Sequence, residues 1–68
     1  MANTQMKDKD YDLISVVYHA AQGADTVKQY SEDARKSGDQ DAAAFFDEVG
    51  QQYGQLVKKG KDLLKRRL

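Results

Sequence analysis

The sequence contains no cysteine, no proline and no tryptophan. Without cysteine the chain has neither disulfide bonds nor thiolate ligands for a metal ion. It also has no run of the roughly 18 apolar residues that a membrane-spanning helix needs. Its first ten residues are polar and charged, without the apolar segment of a secretion signal. We therefore expect the protein to reside in a reducing cytoplasm.

The composition favours a single small helical domain. The chain has 68 residues, of which 40 % are hydrophobic and 32 % are charged, and this balance is typical of chains that fold. The absence of proline, together with frequent alanine, lysine, glutamine and leucine, favours long helices. The sequence therefore predicts an all-α protein.

Turn signals in the middle of the chain predict two antiparallel helices, at about residues 10–37 and 40–67. Gly38 is suited to the left-handed conformation that ends many helices, and Asp39 is suited to cap the helix that follows. Because the connection is so short, the two helices must run antiparallel. The predicted fold is a two-helix hairpin.

The hairpin domain is expected to cover residues 10–68, after a flexible N-terminal tail at residues 1–9. Asp8 or Asp10 is the expected N-cap of the first helix, because a carboxylate there accepts hydrogen bonds from unpaired backbone N–H groups. The tail itself shows no hydrophobic periodicity.

Each helix carries a stripe of apolar and small residues at alternating steps of four and three, which places them on one side of the helix. The first stripe comprises Leu13, Val17, Ala20, Ala24, Val27, Ser31 and Ala34. The second comprises Ala42, Phe46, Val49, Tyr53, Leu56, Gly60 and Leu63, and is widened by Phe45, Val57 and Leu64.

The first helix has more apolar surface than one neighbouring helix covers. Leu13, Ile14, Val16 and Val17 spread over roughly 160° of its circumference at 100° per residue. We therefore expect two hairpins to pair about a two-fold axis as a homodimeric four-helix bundle. The residues expected in the core or at the dimer contact are Leu13, Ile14, Val16, Val17, Ala24, Phe46, Val49, Tyr53, Leu56 and Leu63.

Three glycines, Gly50, Gly54 and Gly60, interrupt the second helix. Each costs about 1 kcal/mol relative to alanine in a helix. Two interpretations of the pair Gly50 and Gly54 are open. The pair permits a close helix approach, or it lies on a surface that tolerates glycine.

The segment from Gln29 to Asp39, with the small residues and Phe46 that follow, resembles the helical hairpin of rubrerythrin-type ferritin-like proteins. Such hairpins carry an aromatic residue, an alanine, a glycine turn, small residues and a phenylalanine. The resemblance extends over roughly residues 21–64. The matching residues are Tyr30, Ala34, Gly38, Ala43, Ala44 and Phe46, followed by Glu48 and Val49.

This resemblance implies a family whose di-iron site uses inward glutamates and a Glu-x-x-His motif. The motif would fall on residues 53–56, where Tyr53 and Leu56 stand in place of the glutamate and the histidine. The glutamate of the first helix would fall near Ala21, and the nearest acid downstream is Asp25. The resemblance therefore implies a ferritin-like hairpin that has lost its iron site.

The residues by themselves also indicate no metal site, no cofactor site and no catalytic centre. Asp47 and Glu48 are expected to project away from the second stripe, so no inward pair of carboxylates remains to hold a cation. His19 is the only histidine, and by helical phase it points away from the first stripe. No nucleophile with an activating base accompanies it. The four tyrosines are interpreted as packing residues.

The charges are unevenly distributed along the chain. Residues 58–68 contain six basic residues and one acidic residue, whereas residues 1–57 contain five basic and ten acidic residues. The basic end either compensates the acidic start of the first helix and the dipole of its own helix, or binds a polyanion. The residues that would contact a polyanion are Lys58, Lys61, Lys65, Arg66 and Arg67.

The sequence leads to one functional hypothesis and one alternative. The hypothesis is a non-enzymatic, self-associating structural or protein-interaction module that resembles ferritin-like hairpins without the metal. The alternative is a module whose basic C-terminal end binds nucleic acid or an anionic membrane surface.

Overall fold

The computed structural model describes residues 8–68 and shows a helical hairpin. Helix α1 covers Asp8–Lys36 and helix α2 covers Gln40–Arg67, and the two pack against each other. The described chain measures 50 × 21 × 11 Å, and its shortest dimension is close to the diameter of one helix. The hairpin is therefore a single layer of two helices with two broad faces. The predicted all-α hairpin is confirmed.

The first helix begins earlier than the sequence predicts. Asp8 and Lys9 belong to α1, so the part of the predicted tail that is described is helical, and residues 1–7 of that tail lie outside the described residues. Two acidic residues in the first turn of α1 favour this extension, because they lie at the positive end of the helix dipole. Asp10 is thus no N-cap but a buried residue within the helix.

The turn between the helices follows the prediction closely. Gly38 has φ of 80°, and the N–H of Asp39 donates to the carbonyl of Ala34 at 2.9 Å. The N–H of Gly38 donates to the carbonyl of Arg35 at 3.1 Å, which completes a Schellman motif. The carboxylate of Asp39 accepts from the N–H of Ala42 at 3.0 Å, as expected of an N-cap.

The helices meet along a seam of small residues. None of the large side chains described is fully buried. Small residues let two backbones approach closely, but they bury little apolar area, so the core of the isolated hairpin is thin. The most buried residues of the seam are Ala20, Val27, Ser31 and Ala34 in α1, and Ala43 and Gly60 in α2.

Close contacts at glycines decide between the two interpretations of the second helix. A Cβ atom added at Gly60 would lie 2.3 Å from Cγ2 of Val17, and one added at Gly50 would lie 3.3 Å from Cγ2 of Val27. At Gly54 an added Cβ would meet nothing within 4 Å. Gly50 and Gly60 therefore permit the close approach, whereas Gly54 lies on a tolerant surface.

The inner side of α2 is rotated relative to the predicted stripe. Ala43 and Gly60 are buried and Val57 is half-buried, whereas Leu56 is 49 % exposed. The rotation places Ala43 and Gly50 against α1. Neither residue belongs to the predicted stripe, whereas Gly60 does. The prediction that Leu56 lies in the stripe facing α1 is therefore wrong.

Candidate interaction surface

Helical geometry assigns the residues beside the seam to two faces of the hairpin. Arg35 directly follows the buried Ala34 in α1, and Asp47 directly follows the half-buried Phe46 in α2. Arg35 and Asp47 contact each other and mark one side of the hairpin, which we call the opposite face. Residues that precede seam residues lie on the other side, because each step along a helix turns by about 100°. We call this second side the apolar face. Its large residues are Val16, Tyr30, Phe45, Val49, Leu56 and Leu63.

Much of the apolar face is in contact with solvent. Val16 and Phe45 are each 61 % exposed, Leu56 is 49 % exposed and Tyr30 is 47 % exposed. Val49 and Leu63 are half-buried. Several large apolar side chains exposed on one side of a protein are typical of an interaction surface.

Aromatic rings strengthen the apolar face near the turn. Tyr30 of α1 packs edge-on against Phe46 of α2, with the ring centroids 5.6 Å apart. Phe45 lies 5.8 Å from Phe46 at a tilted angle. Such pairs stabilise the packing beyond their burial alone. This arrangement holds Tyr30 and Phe45 in defined positions at the surface.

The opposite face carries a polar network that joins the helices. Ser31 donates to Asp47 at 2.6 Å, and Arg35 donates to both Ser31 and Asp47. The hydrogen bond from Ser31 and the neighbouring Arg35 lower the pKa of Asp47, although desolvation acts in the other direction. Asp47 thus contacts α1 while remaining exposed, and this contact does not follow from the stripe pattern. A serine in the first stripe was the available signal for this network, because a buried hydroxyl needs a partner.

At the open end of the hairpin, where α1 begins at Asp8 and α2 ends at Arg67, a longer polar contact joins the helices. Arg67 Nη1 lies 3.9 Å from Oδ1 of Asp10, which is an ion pair but too long for a hydrogen bond. Oδ1 of Asp10 is buried and has no hydrogen-bond partner among residues 8–68. The expected proximity of the basic end and the acidic first turn is confirmed by this contact.

The structure divides the predicted core and dimer residues into three groups. Val17 packs against Gly60 in the seam, and the ring of Tyr53 covers Gly23, where an added Cβ would lie 2.8 Å from Cε2 of the ring. Ile14 is half-buried and lies on the opposite face. Leu13, Ala24 and Phe46 are half-buried and belong with Val17 and Tyr53 to the group at the seam. The third group, on the apolar face, comprises Val16, Val49, Leu56 and Leu63.

The predicted polyanion contacts are all exposed but do not share one face. Lys58, Lys61 and Lys65 line one shallow groove on α2, together with Asp62. This groove lies toward the opposite face, away from Leu56. Arg67 instead approaches Asp10.

A serine lies beside the histidine in the described chain, contrary to the expectation that no nucleophile accompanies His19. His19 is exposed, with Ser15 Oγ 3.4 Å from its Nδ1. Within residues 8–68, no three side chains of histidine, cysteine, aspartate or glutamate come together as a metal site would require. Neither α1 nor α2 contains a stretch that is long and apolar enough to cross a membrane. The expectation of no metal, no cofactor and no catalysis stays a prediction.

The fold and its surface define an antiparallel helical hairpin with one open apolar face. Comparison with protein-family models, with curated proteins and with solved structures gave no match to this chain. The resemblance to rubrerythrin-type hairpins therefore rests on the sequence alone.

Proposed function

We propose that the protein is a non-enzymatic helical module that associates with a second copy through its apolar face. The product is a homodimeric four-helix bundle, which resembles a ferritin-like hairpin pair without the metal site. The observation that carries this proposal is the placement of Val16, Tyr30, Phe45 and Leu56, all about half exposed or more, on one side of the hairpin.

The energetics of a single layer support association. Full burial of a leucine, valine or phenylalanine side chain contributes roughly 1.5–3 kcal/mol, whereas ordering each backbone residue costs about 1–2 kcal/mol. The buried residues of the described hairpin are small or medium-sized, and no large side chain is fully buried. The hairpin therefore gains little free energy from apolar burial. A second layer on the apolar face supplies that missing burial and leaves the opposite face in solvent.

A matched pair of leucine variants tests the proposal. Leu56 lies on the apolar face, whereas Leu68 is the last residue and is 73 % exposed. Leu56→Gln is expected to weaken dimerisation at least about tenfold, the equivalent of 1.4 kcal/mol, while Leu68→Gln leaves it nearly unchanged. Sedimentation equilibrium measures both dissociation constants. Equal dissociation constants for the two variants would exclude the apolar face as the contact.

The alternative function is binding of a polyanion through the lysines of α2. Lys58, Lys61 and Lys65 line one groove, and Asp62 is the acidic residue among them. Phosphate binding by lysine side chains weakens steeply as salt increases. Salt-dependent retention on DNA or on anionic vesicles, lost when the three lysines are replaced by glutamine, would favour this alternative.

A further inference from the structure

The charges of the hairpin are separated along its long axis. The half that contains the turn, residues 23–52, has seven acidic and three basic residues. The half that contains the open end, residues 8–22 and 53–68, has seven basic and four acidic residues. The hairpin is 50 Å long, several times the Debye length of about 8 Å at physiological salt. The two halves therefore present fields of opposite sign.

We propose that the second copy lies head to tail on the apolar face, with the turn end of each hairpin against the open end of its partner. This inference rests on the proposed function, because it specifies how two copies associate. A two-fold axis across the middle of the face brings each basic half against an acidic half. The alternative, with both turns at the same end, would bring like charges together.

Charged residues at the rim of the apolar face agree with this orientation. Phe45, Gln52, Lys59 and Arg66 recur every seven residues along the outer rim of α2, so the rim turns from aromatic to basic toward the open end. In the head-to-tail dimer, α2 packs antiparallel to α2 of the partner. Lys59 and Arg66 then face the first half of that helix, residues 40–53, which contains three acidic residues and no basic residue.

A charge reversal at the rim tests the electrostatic part of the inference. The double variant Lys59→Glu and Arg66→Glu is expected to dimerise about threefold to tenfold more weakly at low salt, with the difference shrinking as salt screens the charges. Lys58→Glu with Lys65→Glu makes the same change of net charge away from the rim, and a smaller effect is expected. A rim variant that dimerises as tightly as this control would contradict the inference.

Distances between spin labels test the orientation itself. The chain has no cysteine, so one cysteine can be introduced at Gln40, near the turn, or at Gln52, near the middle of α2; both residues are exposed. In the head-to-tail dimer the two Gln40→Cys labels lie about 40 Å apart, from the rise of 1.5 Å per residue. With both turns at one end they lie within about 25 Å, since neighbouring helices are only 8–10 Å apart. The Gln52→Cys labels lie within about 25 Å in either dimer.

The possible outcomes separate this inference from the proposed function. A long Gln40 distance with a short Gln52 distance is the expected result. Short distances at both positions would overturn the head-to-tail orientation and leave self-association through the apolar face intact. Long distances at both positions would overturn the contact surface. A chain that sediments as a monomer, with no distance between labels, would overturn the proposed function together with the inference.

Discussion

The turn end of the hairpin is fixed by directed polar contacts, whereas the open end depends on close packing at a glycine. At the turn, Gly38 closes a Schellman motif, Asp39 caps α2, and Ser31 and Arg35 both bond to Asp47. These contacts involve residues that are near one another in sequence or are tied together by the turn. The turn end is therefore defined by local chemistry.

At the open end, the contact is steric. Gly60 receives the side chain of Val17 so closely that an added Cβ would lie 2.3 Å from it, and the ion pair of Asp10 and Arg67 spans 3.9 Å. A pair of this length, with Arg67 partly exposed, contributes little to stability. The open end is therefore the part of the hairpin most sensitive to the size of single side chains.

The largest effect is expected at Gly60. Gly60→Ala should lower the free energy of unfolding by about 1–3 kcal/mol, because the stiff β-branched Val17 has little freedom to move away from the new methyl group. Chemical denaturation at one fixed protein concentration measures the loss.

Gly54 provides the matched control, because it lies in the same helix and an added Cβ there meets nothing within 4 Å. Gly54→Ala should raise the free energy of unfolding by up to about 1 kcal/mol through helix propensity. In addition, Val17→Ala should remove most of the penalty of Gly60→Ala in the double variant. If alanine stabilised both positions equally, the steric account of the open end would be incorrect.

A smaller effect is expected at the turn. Gly38→Ala should cost about 1–2 kcal/mol, because the φ of 80° is unfavourable for a residue with a Cβ. No atom lies within 4 Å of the added Cβ, so the loss comes from the backbone alone. Asp39→Ala should cost about 1 kcal/mol through the lost N-cap. Thermal unfolding of both variants checks these values, and an unchanged melting temperature for Gly38→Ala would argue against a strained turn.

The polar network at the turn end predicts a dependence of stability on pH. The pKa of Asp47 is lower in the folded chain than its ordinary value, because Ser31 and Arg35 donate to the carboxylate. The stabilisation is therefore complete above the ordinary pKa of about 4 and is lost as the pH falls through the lower pKa of the folded state. Unfolding of the native chain and of Asp47→Asn between pH 7 and pH 2 should show this component only in the native chain. A parallel pH dependence in both chains would contradict it.

The smallest effect is expected for the ion pair at the open end. Arg67→Gln should lower the free energy of unfolding by less than about 1 kcal/mol, because Arg67 is partly exposed and the pair is too long for a hydrogen bond. Lys65→Gln, in the same last turn, is the control for loss of a cation near the helix C-terminus. A large loss specific to Arg67→Gln would show that the open end depends on charge rather than on packing.

The contrast between the ends also explains which features the sequence predicts. Gly38 and Asp39 encode the turn locally, so both helices and their connection follow from residue types. The rotation of α2 does not follow, because Gly50 acts by having no side chain, and a hydrophobic pattern does not mark such a residue as inward. The exposure of Leu56 is the direct consequence of this rotation.

The candidate surface is predictable only in part for the same reason. An apolar excess on α1 was evident from residues 13–17, but the structure distributes it among the seam, the apolar face and the opposite face. The network of Asp47 was missed, because its partners lie on another helix and become neighbours only after the turn brings the helices together.

Sedimentation equilibrium of the unmodified chain over a wide range of concentration is the most direct test of self-association through the apolar face. If the apolar face binds a second copy, the mass should approach twice that of one chain as concentration rises, and the melting temperature should rise with it by mass action. A folded chain that keeps the mass of a monomer, with a melting temperature independent of concentration, would contradict the claim.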